Sequence, residues 1–169
     1  MPKIDIAKAE TKRGCGYPAP FDKPCMERVR QRLGDAGGLS DFGVNMLTLP
    51  PGVWSSQRHW HSGEDEFVYV LSGEVVLVDD NGEHVLHAGD CAAFPKGDKN
   101  GHQLINKSKT DAVCLEVGTR STNDFCDYPD IDMQIDSRTD KFTRRDGTPY
   151  PGQYRRTGAN RKRNRVNDG

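Results

Sequence analysis

Apolar and polar residues alternate over short stretches through the middle of the chain. This period of two is typical of β-strands, in which successive side chains point to opposite faces. A first strand is predicted from Asp41 to Pro50, where the Pro50-Pro51-Gly52 turn closes it. After Gly52 the pattern predicts seven more strands, Trp54–His61, Glu66–Leu71, Glu74–Asp79, Glu83–Leu86, Cys91–Phe94, His102–Asn106 and Val113–Val117.

Short turns separate these strands. Ser72-Gly73, Asn81-Gly82 and Ala88-Gly89-Asp90 are turn sequences, and Asn-Gly is the strongest hairpin signal among them. No long stretch of the sequence shows the periodicity of an amphipathic helix. Many short strands joined by such turns predict an all-β protein built as an antiparallel sandwich or barrel.

The run Phe67–Leu71 is apolar on both faces. If Glu66 points inward, Val68 and Val70 do so too, and Phe67 and Tyr69 point outward. An apolar outer face of this kind needs a cover. The N-terminal arm or a second subunit could supply it, and we expect Tyr69 at that interface.

The ends of the chain differ in character from the middle. We predict an N-terminal arm and first strand in residues 1–40, a barrel core in 41–120 and a packed C-terminal extension in 121–154. Within the arm, Cys25–Gly38 reads as a short helix or a strand, and its alternation favours the strand. Residues 155–169 are strongly basic and lack interleaved aromatic residues, which predicts a solvated, disordered tail rather than a nucleic-acid arm.

Three histidines and a glutamate lie where a metal could hold them together. His59 and His61 are two residues apart in a predicted strand, so their rings share a face. Glu66 begins the next strand and His102 begins a later one. Imidazoles and a carboxylate converging from adjacent strands form a ligand set for a divalent transition metal.

The spacing of these residues resembles the two cupin motifs. The first motif corresponds to Gly52, His59, His61, Glu66 and Gly73, and the second to Gly89, Pro95, Gly97, His102 and Asn106. The sequence around the motifs resembles that of small bacterial single-domain cupins, some of which carry labels such as sugar-phosphate isomerase-like. The resemblance implies a double-stranded β-helix, or jelly-roll barrel, with an extended N-terminal arm and an irregular C-terminal tail. It also implies a homodimer formed through sheet faces.

Few other residues are candidates for the site. Gln57 shares the parity of His59 and His61, so it could line a pocket, whereas Arg58 and Trp60 should point away. Asn106 has the parity of His102 and could also lie near the pocket, although a structural hydrogen bond suits it better. No residue stands out as a general base.

Bulk composition excludes several classes of protein. The 169 residues include 24 basic and 25 acidic side chains, so charge provides no general attraction to nucleic acid or membrane. No transmembrane span or signal core is present, so we expect a cytoplasmic protein. The five cysteines should be free thiols, with Cys91 and Cys114 in the core, and none of them falls near the spacing of the metal ligands.

The sequence therefore predicts one divalent metal, zinc, manganese, iron or nickel, and a small-molecule substrate or ligand. Isomerisation of a sugar-like metabolite is the leading hypothesis, on resemblance alone. An iron-dependent dioxygenase and a non-catalytic binding module remain open, because His and carboxylate ligands suit several metals and chemistries.

Overall fold

The computed structural model describes residues 3–151, and these residues form almost only β-strands. The one α-helix, α1, is a single turn from Leu33 to Ala36, and two 3-10 turns span Ile6–Lys8 and Lys23–Cys25. The strands are β1 Thr11–Arg13, β2 Val29–Arg32, β3 Phe42–Leu49, β4 Trp60–His61, β5 Glu66–Ser72, β6 Glu74–Asp79, β7 Gly82–His87, β8 Cys91–Phe94, β9 Gln103–Ile105, β10 Ala112–Thr119, β11 Phe125–Tyr128, β12 Met133–Asp136 and β13 Lys141–Thr143.

The strands form three antiparallel sheets. The largest has the order β1-β2-β3-β10-β5-β8, a smaller one the order β7-β6-β9, and the third the order β13-β12-β11-β4. Non-consecutive neighbours, such as β10 between β3 and β5, are typical of a jelly roll rather than a simple meander. The all-β fold predicted from the alternation is therefore confirmed.

The main core lies between the six-stranded and three-stranded sheets. Val68 and Val70 of β5 are buried there, together with Leu47 and Leu49 of the same sheet and with Val75, Leu77 and Leu104 of the three-stranded sheet. Phe67 and Tyr69 alternate with the buried valines and are each 38% exposed. The predicted parity of β5 is thus confirmed, and its outer face is apolar and open in the single chain.

The N-terminal arm contributes two strands rather than lying loosely on the surface. Arg13 pairs with Val29 between β1 and β2, and β2 pairs along β3. The alternation within Cys25–Gly38 therefore did mark a strand, followed by the turn of α1. The loop between β1 and β2 packs Tyr17 and Cys25 against the C-terminal extension.

The C-terminal extension forms β11, β12 and β13, where the sequence suggested mostly loop. Its residues build a second core around Tyr128, Met133 and Phe142, with Tyr17 edge-on to the Tyr128 ring at 5.5 Å. Local sequence misses these strands because each has only three or four residues. The basic tail predicted at residues 155–169 lies outside the described residues.

Two other expectations are corrected. Regular pairing does not start at Trp54: between Trp54 and His59 the chain makes only isolated bridges, and β4 begins at Trp60. Cys91, expected in the core, is exposed. It lies opposite Tyr69 in the edge strand β8, on the outward face, whereas Cys114 is fully buried.

All five cysteines are free thiols. Within residues 3–151, no helix has both the length and the apolar character needed to cross a bilayer.

Asn106 joins the end of β3 to the loop before β10. Its Nδ2 donates to the carbonyls of Leu49 (2.6 Å) and Thr110 (2.8 Å), and its Oδ1 accepts from Ser108 N (2.9 Å). Because Asn106 is fully buried, Asn106→Ala leaves the two carbonyls and the Ser108 amide without their hydrogen-bond partner. The variant should therefore lower the free energy of unfolding by about 2–3 kcal/mol. Urea denaturation measures this.

The matched control is Asn123→Ala, since Asn123 is exposed. That variant should change the free energy of unfolding by less than about 0.5 kcal/mol. Equal stabilities of the two variants would contradict the anchoring role of Asn106.

Candidate metal centre

The local backbone brings His59 and His102 side by side. Their main chains form an isolated antiparallel bridge, with His59 N to His102 O at 3.1 Å and His102 N to His59 O at 2.8 Å. His61 follows on β4, and Glu66 enters from the start of β5. The four residues predicted as ligands therefore come from neighbouring segments at one end of the main core.

All three imidazoles point their Nε2 atoms at a single oxygen. The distance from Glu66 Oε2 to Nε2 is 3.0 Å for His102, 3.6 Å for His59 and 3.7 Å for His61. Ligands bound at about 2.1 Å in octahedral or tetrahedral geometry are about 3.0–3.4 Å apart. The ligand atoms of His59, Glu66 and His102 lie within 4.8 Å of one another, whereas His61 groups within that distance with His59 and Cys126, and with Glu64 and Asp124.

Hydrogen bonds orient two of the rings. The Nδ1 of His59 donates to the carbonyl of Gln57 (2.9 Å), and the Nδ1 of His61 donates to Asp124 Oδ2 (2.7 Å). In neutral His59 this leaves on Nε2 the lone pair that a metal needs. In His61, whose pKa is raised, an ion would displace the proton on Nε2. The Nε2 of His61 is buried and has no hydrogen-bond partner among the described residues, as expected of an atom that awaits a ligand.

Aromatic rings stack on the imidazoles of His59 and His102. Phe94 stacks on His102 with ring centres 3.5 Å apart and planes within 3°, and Tyr128 stacks on His59 at 5.7 Å. Stacking limits the rotation of these two rings.

Burial and contacts set the charges of these groups. Burial lowers the pKa of His59 to about 4, so this ring is neutral at pH 7. Burial also opposes the charge on Glu66, but contacts with the His102, His59 and His61 rings outweigh it and hold the pKa of this carboxyl well below its usual range. For His61, burial is likewise outweighed, by Cys126 and Asp124, which raise its pKa to about 11.

Asp124 and Cys126 are site residues that sequence reasoning missed. Antiparallel pairing of β11 with β4 sets Cys126 opposite His61, and the Cys126 thiol lies within 4.8 Å of the ligand atoms of His59 and His61. Because no cysteine falls at the ligand spacing in the sequence, this proximity was not predicted. Asp124 is buried and also accepts a hydrogen bond from Gly63 N at 2.8 Å.

The two pocket candidates lie elsewhere. Gln57 donates its Nε2 to the carbonyl of Phe21 (2.7 Å), and Asn106 is used in the turn described above, so neither lines the cavity beside the ligands. Trp60 does line it, contrary to expectation. Arg58 points away, to Asp80 and Asp130, as expected.

Three of the four candidate ligands, His61, Glu66 and His102, line a cavity of about 120 Å³, and His59 does not. This volume is well below the roughly 300–1,000 Å³ of sites for drug-sized ligands, so it suits a small metabolite. The rest of the lining consists of Trp60, Glu64, Leu77, Asp79, Ala92, Ala93, Phe94, Pro95, Asp98 and Asn100.

Comparison with known proteins supports this picture. The cupin domain family model matches residues 45–118. A curated oxalate-binding protein of Thermotoga maritima is 37% identical over 71 residues, which is 42% of this chain and 56% of that protein. The match thus spans little more than half the length of that relative.

Two solved structures cover most of the chain. One is a sugar phosphate isomerase of the cupin superfamily from Silicibacter pomeroyi, 49% identical, covering 88% of this chain and 96% of that one, with a TM-score of 0.83. The other, named as a candidate sugar phosphate isomerase of Acidithiobacillus ferrooxidans, is 31% identical, covering 80% and 83% of the two chains, with a TM-score of 0.70. Since the fold, the motif residues and these relatives agree, the chain belongs to the cupin superfamily.

Proposed function

We propose that this protein is a metal-dependent enzyme that isomerises a small hydroxy-carbonyl metabolite. The observation that carries the proposal is the convergence of three Nε2 atoms on Glu66 Oε2 beside a small cavity. The names of the Silicibacter pomeroyi and Acidithiobacillus ferrooxidans structures favour isomerase chemistry.

In this proposal His59, His61, Glu66 and His102 hold one divalent ion. Four protein ligands leave two positions of a six-coordinate ion open, unlike a closed structural zinc site. Zinc, manganese, iron and nickel all accept this ligand set. When bound, the ion supplies Lewis acidity that polarises a carbonyl oxygen.

Isomerisation also needs a group that moves a proton between adjacent carbons. Glu64 is suited to this role because it lines the cavity beside the ligands. Its Oε1 accepts a hydrogen bond from Ser121 N at 2.9 Å, which holds the carboxylate in place. Trp60, Leu77 and Phe94 form the apolar part of the wall and limit the access of water.

The activity test loads the metal-free protein separately with zinc, manganese and iron. NMR then follows the interconversion of aldoses and ketoses, with and without phosphate groups and with and without oxygen. We expect turnover that needs a metal and consumes no oxygen. Glu64→Gln should keep its metal and lose at least about 100-fold in kcat, because only proton transfer is removed.

Two results would reject the isomerase proposal. Turnover only with iron, with oxygen consumed, would identify a dioxygenase. A bound ligand that is never converted, with any metal, would identify a binding module.

Asp124 offers a test of the metal site itself. Asp124→Ala removes the acceptor that orients His61 and should weaken metal affinity about 10- to 100-fold, as loss of such partners does in other metal sites. Calorimetry with Zn²⁺ measures this without reference to activity. Far-UV circular dichroism reports whether the fold is kept.

The matched control is Asp127→Asn, three residues along the same segment. Asp127 pairs with Arg145 (3.4 Å) and points away from His61, so its replacement should leave the affinity for Zn²⁺ unchanged. Equal losses in the two variants, or no loss in Asp124→Ala, would contradict the orienting role.

We also propose that the outer face of β5 forms a homodimer interface. Phe42, Phe67, Tyr69 and Leu71 are exposed, and Phe42 and Phe67 line a shallow apolar cavity of about 490 Å³ together with Val117. An open apolar face of this kind marks an interaction surface. Apart from Asp65 and Glu66, the lining residues of this cavity within the described range 3–151 are uncharged, which suits a self-complementary contact.

Light scattering at micromolar concentration should therefore give twice the 18.8 kDa mass of one chain. Phe67→Asp should shift the mass to that of one chain, because it buries an unpaired charge in the contact. The control Val85→Asp changes an exposed valine on β7, in a different sheet, and should leave the mass unchanged. A wild-type mass of one chain would contradict the proposal.

A further inference from the structure

Two groups of possible ligand atoms share His59. In one, the atoms of His59, Glu66 and His102 lie within 4.8 Å of one another, and in the other those of His59, His61 and Cys126 do. The first group offers nitrogen and carboxylate oxygen, and the second offers nitrogen and sulfur. The cupin motif positions include every member of these two groups except Cys126, which comes from the C-terminal extension.

A third group, formed by His61, Glu64 and Asp124, has a simpler explanation. The Nδ1 of His61 donates to Asp124 Oδ2 at 2.7 Å and lies 4.0 Å from Glu64 Oε2. These contacts engage Nδ1. The Nε2 of His61 is therefore the nitrogen left for an ion.

Strand pairing places the Cys126 side chain beside His61. The two residues are directly opposite in the antiparallel pair β11–β4. Hydrogen bonds from Ser62 N to Phe125 O (2.9 Å) and from Phe125 N to Ser62 Oγ (2.8 Å) hold this register. Opposite residues of an antiparallel pair point to the same face, with Cβ atoms about 4.5–5.5 Å apart. The backbone itself therefore brings the thiol to the side of the sheet on which His61 lies.

Burial alone does not distinguish Cys126 from the other core cysteines. Cys25, Cys114 and Cys126 are at most 1% exposed, and a buried free cysteine commonly packs as a small apolar residue. All five cysteines lie within the described residues 3–151, and of these only Cys126 belongs to a group of possible metal ligands. Its position beside two imidazoles, rather than its burial, suits it to bind an ion.

The distances in the sulfur-containing group are compatible with one ion. Zinc binds imidazole nitrogen at about 2.1 Å and thiolate sulfur at about 2.3 Å, so two such ligands are at most about 4.4 Å apart. The atoms of His59, His61 and Cys126 all lie within 4.8 Å of one another. Side-chain movements of a few tenths of an ångström would therefore bring all three onto one ion.

We infer that Cys126 supplies a thiolate ligand, beside His59 and His61, to a soft or borderline ion such as Zn²⁺, Co²⁺ or Cd²⁺. This rests on the proposed function only for the presence of an ion in the site. On binding, the S–H bond breaks, the sulfur donates its electron pair to the ion and the proton passes to solvent. A hard ion such as Mn²⁺, which prefers oxygen ligands, would bind through the imidazoles and Glu66 without the sulfur.

Absorption spectroscopy of the full chain loaded with Co²⁺ tests for the metal–sulfur bond. A thiolate bound to Co²⁺ gives an intense charge-transfer band in the near ultraviolet, which nitrogen and oxygen ligands do not give. We expect this band in the wild type, with the bound Co²⁺ measured by elemental analysis, and its loss in Cys126→Ser. Serine nearly keeps the shape of cysteine and removes the sulfur. Cys126→Ala replaces it in the comparison if Cys126→Ser loses the far-UV circular dichroism of the wild type.

Calorimetry then separates soft from hard ions. Cys126→Ser should weaken the binding of Cd²⁺ at least about tenfold, since the loss of even an outer partner of a metal ligand costs 10- to 100-fold. The affinity for Mn²⁺ should stay within about twofold of the wild type, because an ion that prefers oxygen does not use the sulfur.

Two other cysteines provide matched controls. Cys114→Ser removes a fully buried thiol from the main core, and Cys91→Ser removes an exposed one from β8. Both variants should keep the Co²⁺ band and the affinities for Cd²⁺ and Mn²⁺. Loss of the band in Cys91→Ser would show an ion bound to a surface thiol and would overturn the inference.

The remaining outcomes separate this inference from the proposed function. Bound Co²⁺ without the band, or a band that survives in Cys126→Ser, would overturn the inference and leave the isomerase proposal in place. A band that is lost in Cys126→Ser, while no metal supports turnover, would keep the inference and reject the isomerase.

Discussion

The structure depends on one costly arrangement, three imidazoles packed around one carboxylate oxygen in a buried place. Such groups lose hydration and must find partners within the protein or in a bound ion. Asp124 and the Gln57 carbonyl satisfy the outer nitrogens of His61 and His59, and Glu66 faces the inner ones. The surrounding sheets keep these groups buried, although removing them from water is unfavourable.

The C-terminal extension takes part in this arrangement. Strand β11 carries Asp124 just before it and Cys126 and Tyr128 within it, so one short segment touches two of the three histidines. The same segment forms the second core with Met133 and with Tyr17 of the N-terminal loop. Loosening the extension should therefore disturb the site, although every candidate ligand lies in the central part of the chain.

The lining of the cavity has two sources. His61, Glu66 and His102 stand at positions of the cupin motifs, whereas Glu64, Asp79 and Asp98 lie outside them. Because a fold hosts many functions and the local site decides among them, the lining residues outside the motifs carry what is particular to this chain.

Period-two alternation alone predicted the strands of the core, because every second residue of such a strand is buried. The inward direction of Val68 and Val70 and the outward direction of Phe67 follow from this alternation. Motif spacing alone singled out His59, His61, Glu66 and His102. Only the tertiary structure placed Asp124 and Cys126 beside His61, through pairing of β4 and β11 across about sixty residues. The tertiary structure also directs Gln57 to the Phe21 carbonyl and places Trp60 in the lining of the cavity. Local patterns carry no record of such long-range pairing, because it is decided by which short strands can bury a common core.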